Sequence, residues 1–176
     1  MPFERMALGA DRGFDERWLQ QLLFAHPELI PLERIEPGAG SIIPLLREFA
    51  LPRSSGLVFL DMLALTRSGR IVLVECKLWR NPQARREVVA QLIEYAALLR
   101  GWSFADLTAR VKTVLGVSSP NPIFDLARAA YPDLDEAAFV DAVARSLQLG
   151  DFHLIIAGDG IRSDLQAIGA YINATI

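Results

Sequence analysis

Asp61, Glu75 and Lys77 are the residues whose types and spacing could do chemistry. Glu75 and Lys77 stand two apart at the end of an apolar run, so in a strand they project from the same face, about 6–7 Å apart, while Cys76 points the other way. Asp61 lies inside a preceding apolar run and brings a second carboxylate to the same end. Such oxygens are hard ligands suited to Mg²⁺ or Mn²⁺, ions held by one or two carboxylates together with substrate phosphate. The ion lowers the pKa of a bound water and shields phosphate charge, which makes phosphodiester hydrolysis feasible near neutral pH. A lysine on that face can stabilise charge developing on phosphorus or orient the attacking water. The structural alternative is a salt bridge from Lys77 to Glu75 or Asp61. Buried pairs seldom recover their desolvation cost, however, and apolar residues would serve the sheet better.

These residues need a hairpin to position them. Gly56–Lys77 reads as two alternating apolar strands joined by a turn at Arg67-Ser68-Gly69-Arg70. Asn81 can cap a following helix with Pro82 in its first turn, and Gln83–Leu99 carries Val88, Leu92, Tyr95, Ala96 and Leu99 on one face. Gln91 and Tyr95, four apart, share a stripe and can point together towards the strand ends, although a glutamine at such a place also serves as a polar boundary. Upstream, Asp15 opens a helix with Trp18, Leu19, Leu22, Leu23 and Ala25 on its apolar side, ended by Pro27. Asp15 and Glu16 suit the positive end of that helix, and Glu28 reads as a solvated turn residue.

The remaining segments read more coarsely. The first ten residues show no period. Leu32–Glu36 reads as a short strand and Pro37–Ser41 as a flexible loop, Ile43–Leu51 has no clear assignment, and Pro52–Gly56 is a loop leading into the Asp61 strand. Arg53, Ser54 and Ser55 there could touch a phosphate or be a plain surface turn. Arg80, Arg85 and Arg86 flank a helix start, where cations oppose the dipole and a phosphate partner would relieve them. Helices are expected over Ser103–Leu115, Asp133–Leu149 and about 161–172, with a linker at Ser118–Pro122 and a short buried strand at Phe152–Ala157. His26 and His153 lack ligand-spaced partners and read as structural.

Composition bounds the reading. A chain of 176 residues with 52% hydrophobic and 22% charged residues suffices for one well-packed domain. Its apolar runs are interrupted by charge before the roughly 18–20 residues of a membrane span, and its start does not read as a secretory signal. One cysteine and two histidines exclude a finger-type zinc site, and the lone cysteine fits a reducing, cytoplasmic location. The net charge of −3 is uneven: Pro44–Lys112 carries 11 Lys and Arg against 6 Asp and Glu, the remainder 7 against 15. A basic centre in an acidic chain is what a phosphate-backbone site would look like, and also what chance clustering would give.

Asp61, thirteen residues, then Glu75-Cys76-Lys77 and a helix carrying Gln91 and Tyr95 resembles the PD-(D/E)XK, or restriction-endonuclease-like, nuclease superfamily. Within it the pattern is most similar to small bacterial and archaeal nuclease domains of the DNA repair, recombination or restriction type. The resemblance covers Asp15 to about Leu99, with Leu60 standing where the motif's name has proline, a position many members vary. It implies an α/β domain over residues 1–176 with a central mixed β-sheet flanked by helices, and Mg²⁺- or Mn²⁺-dependent hydrolysis of DNA, more as an endonuclease than an exonuclease. It further implies Asp61 and Glu75 as metal ligands, Lys77 as the catalytic lysine, Glu16 as the helical carboxylate that completes the site, and Gln91 as the glutamine near the metal. Arg53, Ser55, Arg80, Arg85 and Arg86 are the expected DNA contacts, and cutting both strands would favour a homodimer. The rival readings are a domain on this fold that binds nucleic acid without cutting, and a protein-interaction domain using the helices from Leu107 to Leu149.

Overall fold

The computed structural model describes residues 15–78 and 83–158. A meander of three antiparallel strands carries the middle of the chain: β1 (Ile43–Arg53), β2 (Gly56–Leu65) and β3 (Ile71–Lys77). The predicted hairpin is β2 with β3, paired from Leu65↔Ile71 to Met62↔Val74. Pairing stops there, so Asp61 and Glu75 are the first residues past it. The stretch without a clear assignment is β1, and the loop expected over Pro52–Gly56 shrinks to the turn at Ser54-Ser55 between β1 and β2. The strand admits Pro44 and Pro52 because, among the described residues, β1 is at the edge of the sheet, where a missing backbone N–H is tolerated.

Strand β4 (Phe152–Gly158) runs parallel to β3 from Ile71↔Phe152 to Lys77↔Gly158, giving the sheet order β1-β2-β3-β4. It is half-buried rather than buried as read, because it has one strand neighbour among the described residues. The helices are α1 (Glu16–Ala25), α2 (Gln83–Leu99), α3 (Phe104–Leu115), α4 (Pro122–Ala130) and α5 (Glu136–Leu149). Together they give the α/β class expected, a mixed sheet flanked by helices. Among the described residues no helix is long and apolar enough to cross a membrane.

Alternation sorts the core onto the two faces of the sheet. Ile71 and Leu73 join Phe49, Leu63, Leu92, Leu99 and Val143 under α2–α5, while Val72, Val74 and Cys76 join Leu19, Leu23 and Met62 under α1. Caps fix the helix starts: Asp15 Oδ1 accepts the Trp18 N–H at 2.8 Å, and Asp135 Oδ1 accepts the Ala138 N–H at 2.9 Å. The helix expected from Asp133 therefore begins at Glu136.

Further expectations are corrected or fall outside the described residues. Leu32–Arg34 is a single 3₁₀ turn, not a strand. Glu33 accepts the N–H groups of Gly38 and Gly40 at 2.8 and 2.7 Å and folds the following loop back onto it. Helix α4 went unread: Asn121 caps it and Pro122 occupies its first turn, a start signal hidden inside an apparent Ser/Pro/Asn linker. The first ten residues, Arg80, the Asn81-Pro82 cap and the helix near 161–172 lie outside the described residues.

The β2–β3 turn explains one glycine. Gly69 has φ +84°, and a Cβ there would sit 2.7 Å from Ala142 Cβ on α5. Backbone strain and overpacking act together, so Gly69→Ala is expected to lower stability by about 2–4 kcal/mol, read as the midpoint shift in urea unfolding.

Candidate active site

The site forms where β2 and β3 part. Past the last β2–β3 pair, Asp61 turns its carboxylate into the gap: Oδ2 accepts the Cys76 N–H at 2.7 Å and Oδ1 accepts Gln20 Nε2–H at 2.6 Å. One side-chain oxygen thus replaces a lost ladder contact, and the other ties β2 to α1. Glu75 is 6% exposed, and its Oε2 has no hydrogen-bond partner. Lys77 emerges at the strand end, half-buried, with Nζ 3.6 Å from Glu16 Oε1. That same Glu16 oxygen accepts the Leu78 N–H at 3.1 Å. Among the described residues Lys77 forms no ion pair with Glu75 or Asp61, so the salt bridge weighed above is not the arrangement present.

Burial sets the electrostatics. It pushes Asp61 up to about 6; the Cys76 N–H and the Lys77 charge oppose the rise, and the charges of Glu48 and Glu16 reinforce it. Glu75 is pushed up to about 8, chiefly by burial and then by the Asp61 charge. Glu36, at the opposite end of the sheet, is the internal comparison. Burial would raise it too, but hydrogen bonds from His153 and Ser68 and the Arg70 charge outweigh that and hold it below the ordinary range. His153 Nε2 lies 2.7 Å from Glu36 Oε2, and Ser68 Oγ donates to Oε1 at 2.7 Å. Glu36, only partly buried, has donors on both oxygens, whereas the more deeply buried Glu75 keeps one oxygen without a partner, and the Asp61 backbone N–H and the Lys77 charge only partly oppose its rise.

Gln91 lies on α2 with its Oε1 buried and unpartnered. One turn on, Tyr95 is buried and donates to the Phe59 carbonyl at 3.1 Å; burial, then the charges of Glu75 and Asp61, raise its hydroxyl. The stripe shared by Gln91 and Tyr95 therefore faces the acid pair. Cys76 lies in the α1-side core, where burial and then the carboxylates push its thiol well above the usual range and leave it a poor nucleophile.

The expected DNA contacts divide. Because β2 begins at Gly56 but pairs with β3 only from Met62, the Arg53–Gly56 turn reaches past the end from which Lys77 emerges. Ser55 is exposed there, whereas the Arg53 guanidinium is held by Glu94 at 3.1 Å. Arg80 and the side chains of Arg85 and Arg86 lie outside the described residues.

Two residues near the acids escaped the sequence reading. Gln20, 6% exposed, holds Asp61 and carries an unpartnered Oε1. Glu48, on β1, is the one described non-glycine with positive φ, at +50°, and lies across from Asp61 between the pairs Arg47↔Met62 and Phe49↔Leu60. A φ outlier cannot be read from sequence, and Gln20 differs from its neighbour Gln21 only in three dimensions.

Asp61 and Glu75 are the residues able to hold a cation. Among the described residues, every buried carbonyl or carboxylate side-chain oxygen without a partner belongs to Gln20, Glu75 or Gln91. Among the described residues no three His, Cys, Asp or Glu side chains are gathered into a cage.

No family model and no curated protein matches this chain. Among solved structures it is similar to the EndoMS-dsDNA2 complex, with 20% identity over 92% of this chain and 50% of that chain, at a TM-score of 0.33. This chain thus spans half the length of that protein's chain.

Proposed function

We propose that this domain is a divalent-cation-dependent nuclease that hydrolyses phosphodiester bonds in DNA, as an endonuclease. The observation that carries the reading is Glu75: a carboxylate buried beside Asp61, with one oxygen lacking a hydrogen-bond partner, whereas the less buried Glu36 has donors on both oxygens. Buried polar atoms without partners are uncommon in native folds, and an acid pair with an open oxygen fits Mg²⁺ or Mn²⁺. When bound, the ion would acidify a water and offset phosphate charge.

The chain's own residues do the rest. Asp61 is fixed by two donors, so its carboxylate is oriented before any ligand arrives. Glu16 restrains Lys77 from one side and leaves its ammonium at the strand end, where it can meet a phosphate oxygen. Tyr95, kept as the neutral phenol, braces β2 against α2 and so holds the gap between the strands at its width.

The test is cleavage of labelled linear duplex, single-stranded and branched DNA with Mg²⁺ or Mn²⁺, comparing wild type with Lys77→Met. Metal-dependent cutting that falls about a hundredfold in Lys77→Met is expected, the loss typical of one charge-stabilising group. DNA binding without cutting by the wild type would point instead to a non-cutting binder. Neither binding nor cutting would point to an interaction domain.

A further inference from the structure

Gln20 is a buried amide with one end used and the other open. Its Nε2 donates to Asp61 Oδ1 at 2.6 Å, and its Oε1 has no partner although the residue is only 6% exposed. The carboxylate fixes which way round the amide sits, because an ionised Asp61 accepts and cannot donate. Both ends belong to one small planar group, so Oε1 lies within about 5 Å of the Asp61 oxygen. Gln20 also lines a cleft of about 550 Å³ with Asp15, Glu16, Arg17 and Leu78, while its Oε1 is itself buried beside that space.

The neighbouring groups leave one role vacant. Glu16 Oε1 is taken up by the Leu78 N–H and Lys77, and no third acidic or imidazole side chain joins Asp61 and Glu75 among the described residues. An amide oxygen is a hard, neutral ligand of the kind these cations accept alongside carboxylates. We infer that Gln20 Oε1 is the third protein oxygen of the cation site, supplied by α1, with its N–H holding Asp61 in register for the same ion. This rests on the nuclease reading and adds to it a residue that both binds and positions.

The test is Mn²⁺ titration of the full chain without DNA, following free Mn²⁺ by electron paramagnetic resonance, together with the rise in Tm at saturating Mn²⁺. Gln20→Met, close in shape and without the oxygen, is expected to weaken Mn²⁺ binding by about tenfold or more and to shrink the Tm rise. Gln20→Glu restores an oxygen but loses the N–H and sets a like charge against Asp61. It is expected to lower the metal-free Tm while binding Mn²⁺ at least as tightly as wild type. A purely structural amide predicts the reverse, with Gln20→Met affinity within twofold of wild type and Gln20→Glu binding no better than Gln20→Met; that pattern would overturn the inference. Glu75→Gln separates the two failures. If it weakens Mn²⁺ binding while Gln20→Met does not, only the role of Gln20 falls, whereas a wild type that binds no Mn²⁺ removes the nuclease reading as well.

Discussion

Replacing Glu75 by glutamine is expected to reduce metal-dependent DNA cleavage by at least about a thousandfold, roughly 4 kcal/mol of transition-state stabilisation, while the metal-free protein becomes more stable at pH 8. The two effects have one origin. Glu75 is 6% exposed and has an oxygen without a donor, so its charge is costly in the fold and useful only to a cation. Glutamine keeps the shape, removes the charge and cannot replace a carboxylate as an anionic ligand. Cleavage assays on the DNA that wild type cuts, paired with urea unfolding in a chelator, read both sides. A variant that cuts normally would remove Glu75 from the chemistry, and one that is less stable at pH 8 without metal would mean that its charge is satisfied after all.

The wild type should lose stability as pH rises from about 5 to about 8 in the absence of divalent cations. Glu75 titrates near 8 in the fold against 4.5 for the free group, and Asp61 near 6 against 3.8, both raised mainly by burial. Between those values the folded state keeps protons that the unfolded state has released, so stability is fullest below the unfolded values and falls as pH climbs through the folded ones. The coupled pair makes the loss on the order of several kcal/mol. Glu33 and Glu36 are held low, so they are ionised in both states across this window and do not counter the trend. Saturating Mg²⁺ or Mn²⁺ should flatten or reverse the slope by stabilising the ionised pair, and Glu75→Gln should remove most of it. Thermal melts at pH 5.5 and 8.5, with chelator and with metal, decide the matter; a stability that rises with pH in chelator would contradict it.

What could be read from residues follows from how local each signal is. The β2–β3 hairpin and α2 were legible because alternation, a glycine turn and a long apolar stripe are written in adjacent positions. Strand β1 was not, since Ile43–Leu51 shows no clear alternation and its prolines fit a strand only where, among the described residues, it forms the edge of the sheet. The start of α4 was present in Asn121-Pro122 but masked by the polar cluster before it. For the site, Asp61, Glu75 and Lys77 stood out because charge in an apolar strand demands a reason. Gln20 did not, because its significance is a bond to a residue 41 positions away. Glu48 did not either, because its unusual backbone angle leaves no mark on a sequence.

The meander joins strands that are neighbours in sequence, so β1, β2 and β3 can pair by closing short loops. By contrast, β4 reaches Ile71 from Phe152 only after four helices have been laid down, and α1 reaches the hairpin across 41 residues at Asp61 and 62 at Leu78. Contacts of short range close first because they lose less chain entropy. The hairpin thus brings Asp61 and Glu75 to its open end early, as a bare pair of acids repelling one another in water. Orientation of Asp61 by Gln20, and restraint of Lys77 by Glu16, come only when α1 docks. Competence of the site therefore waits on the docking of α1, and a partly folded molecule carries its acids without the means to aim them.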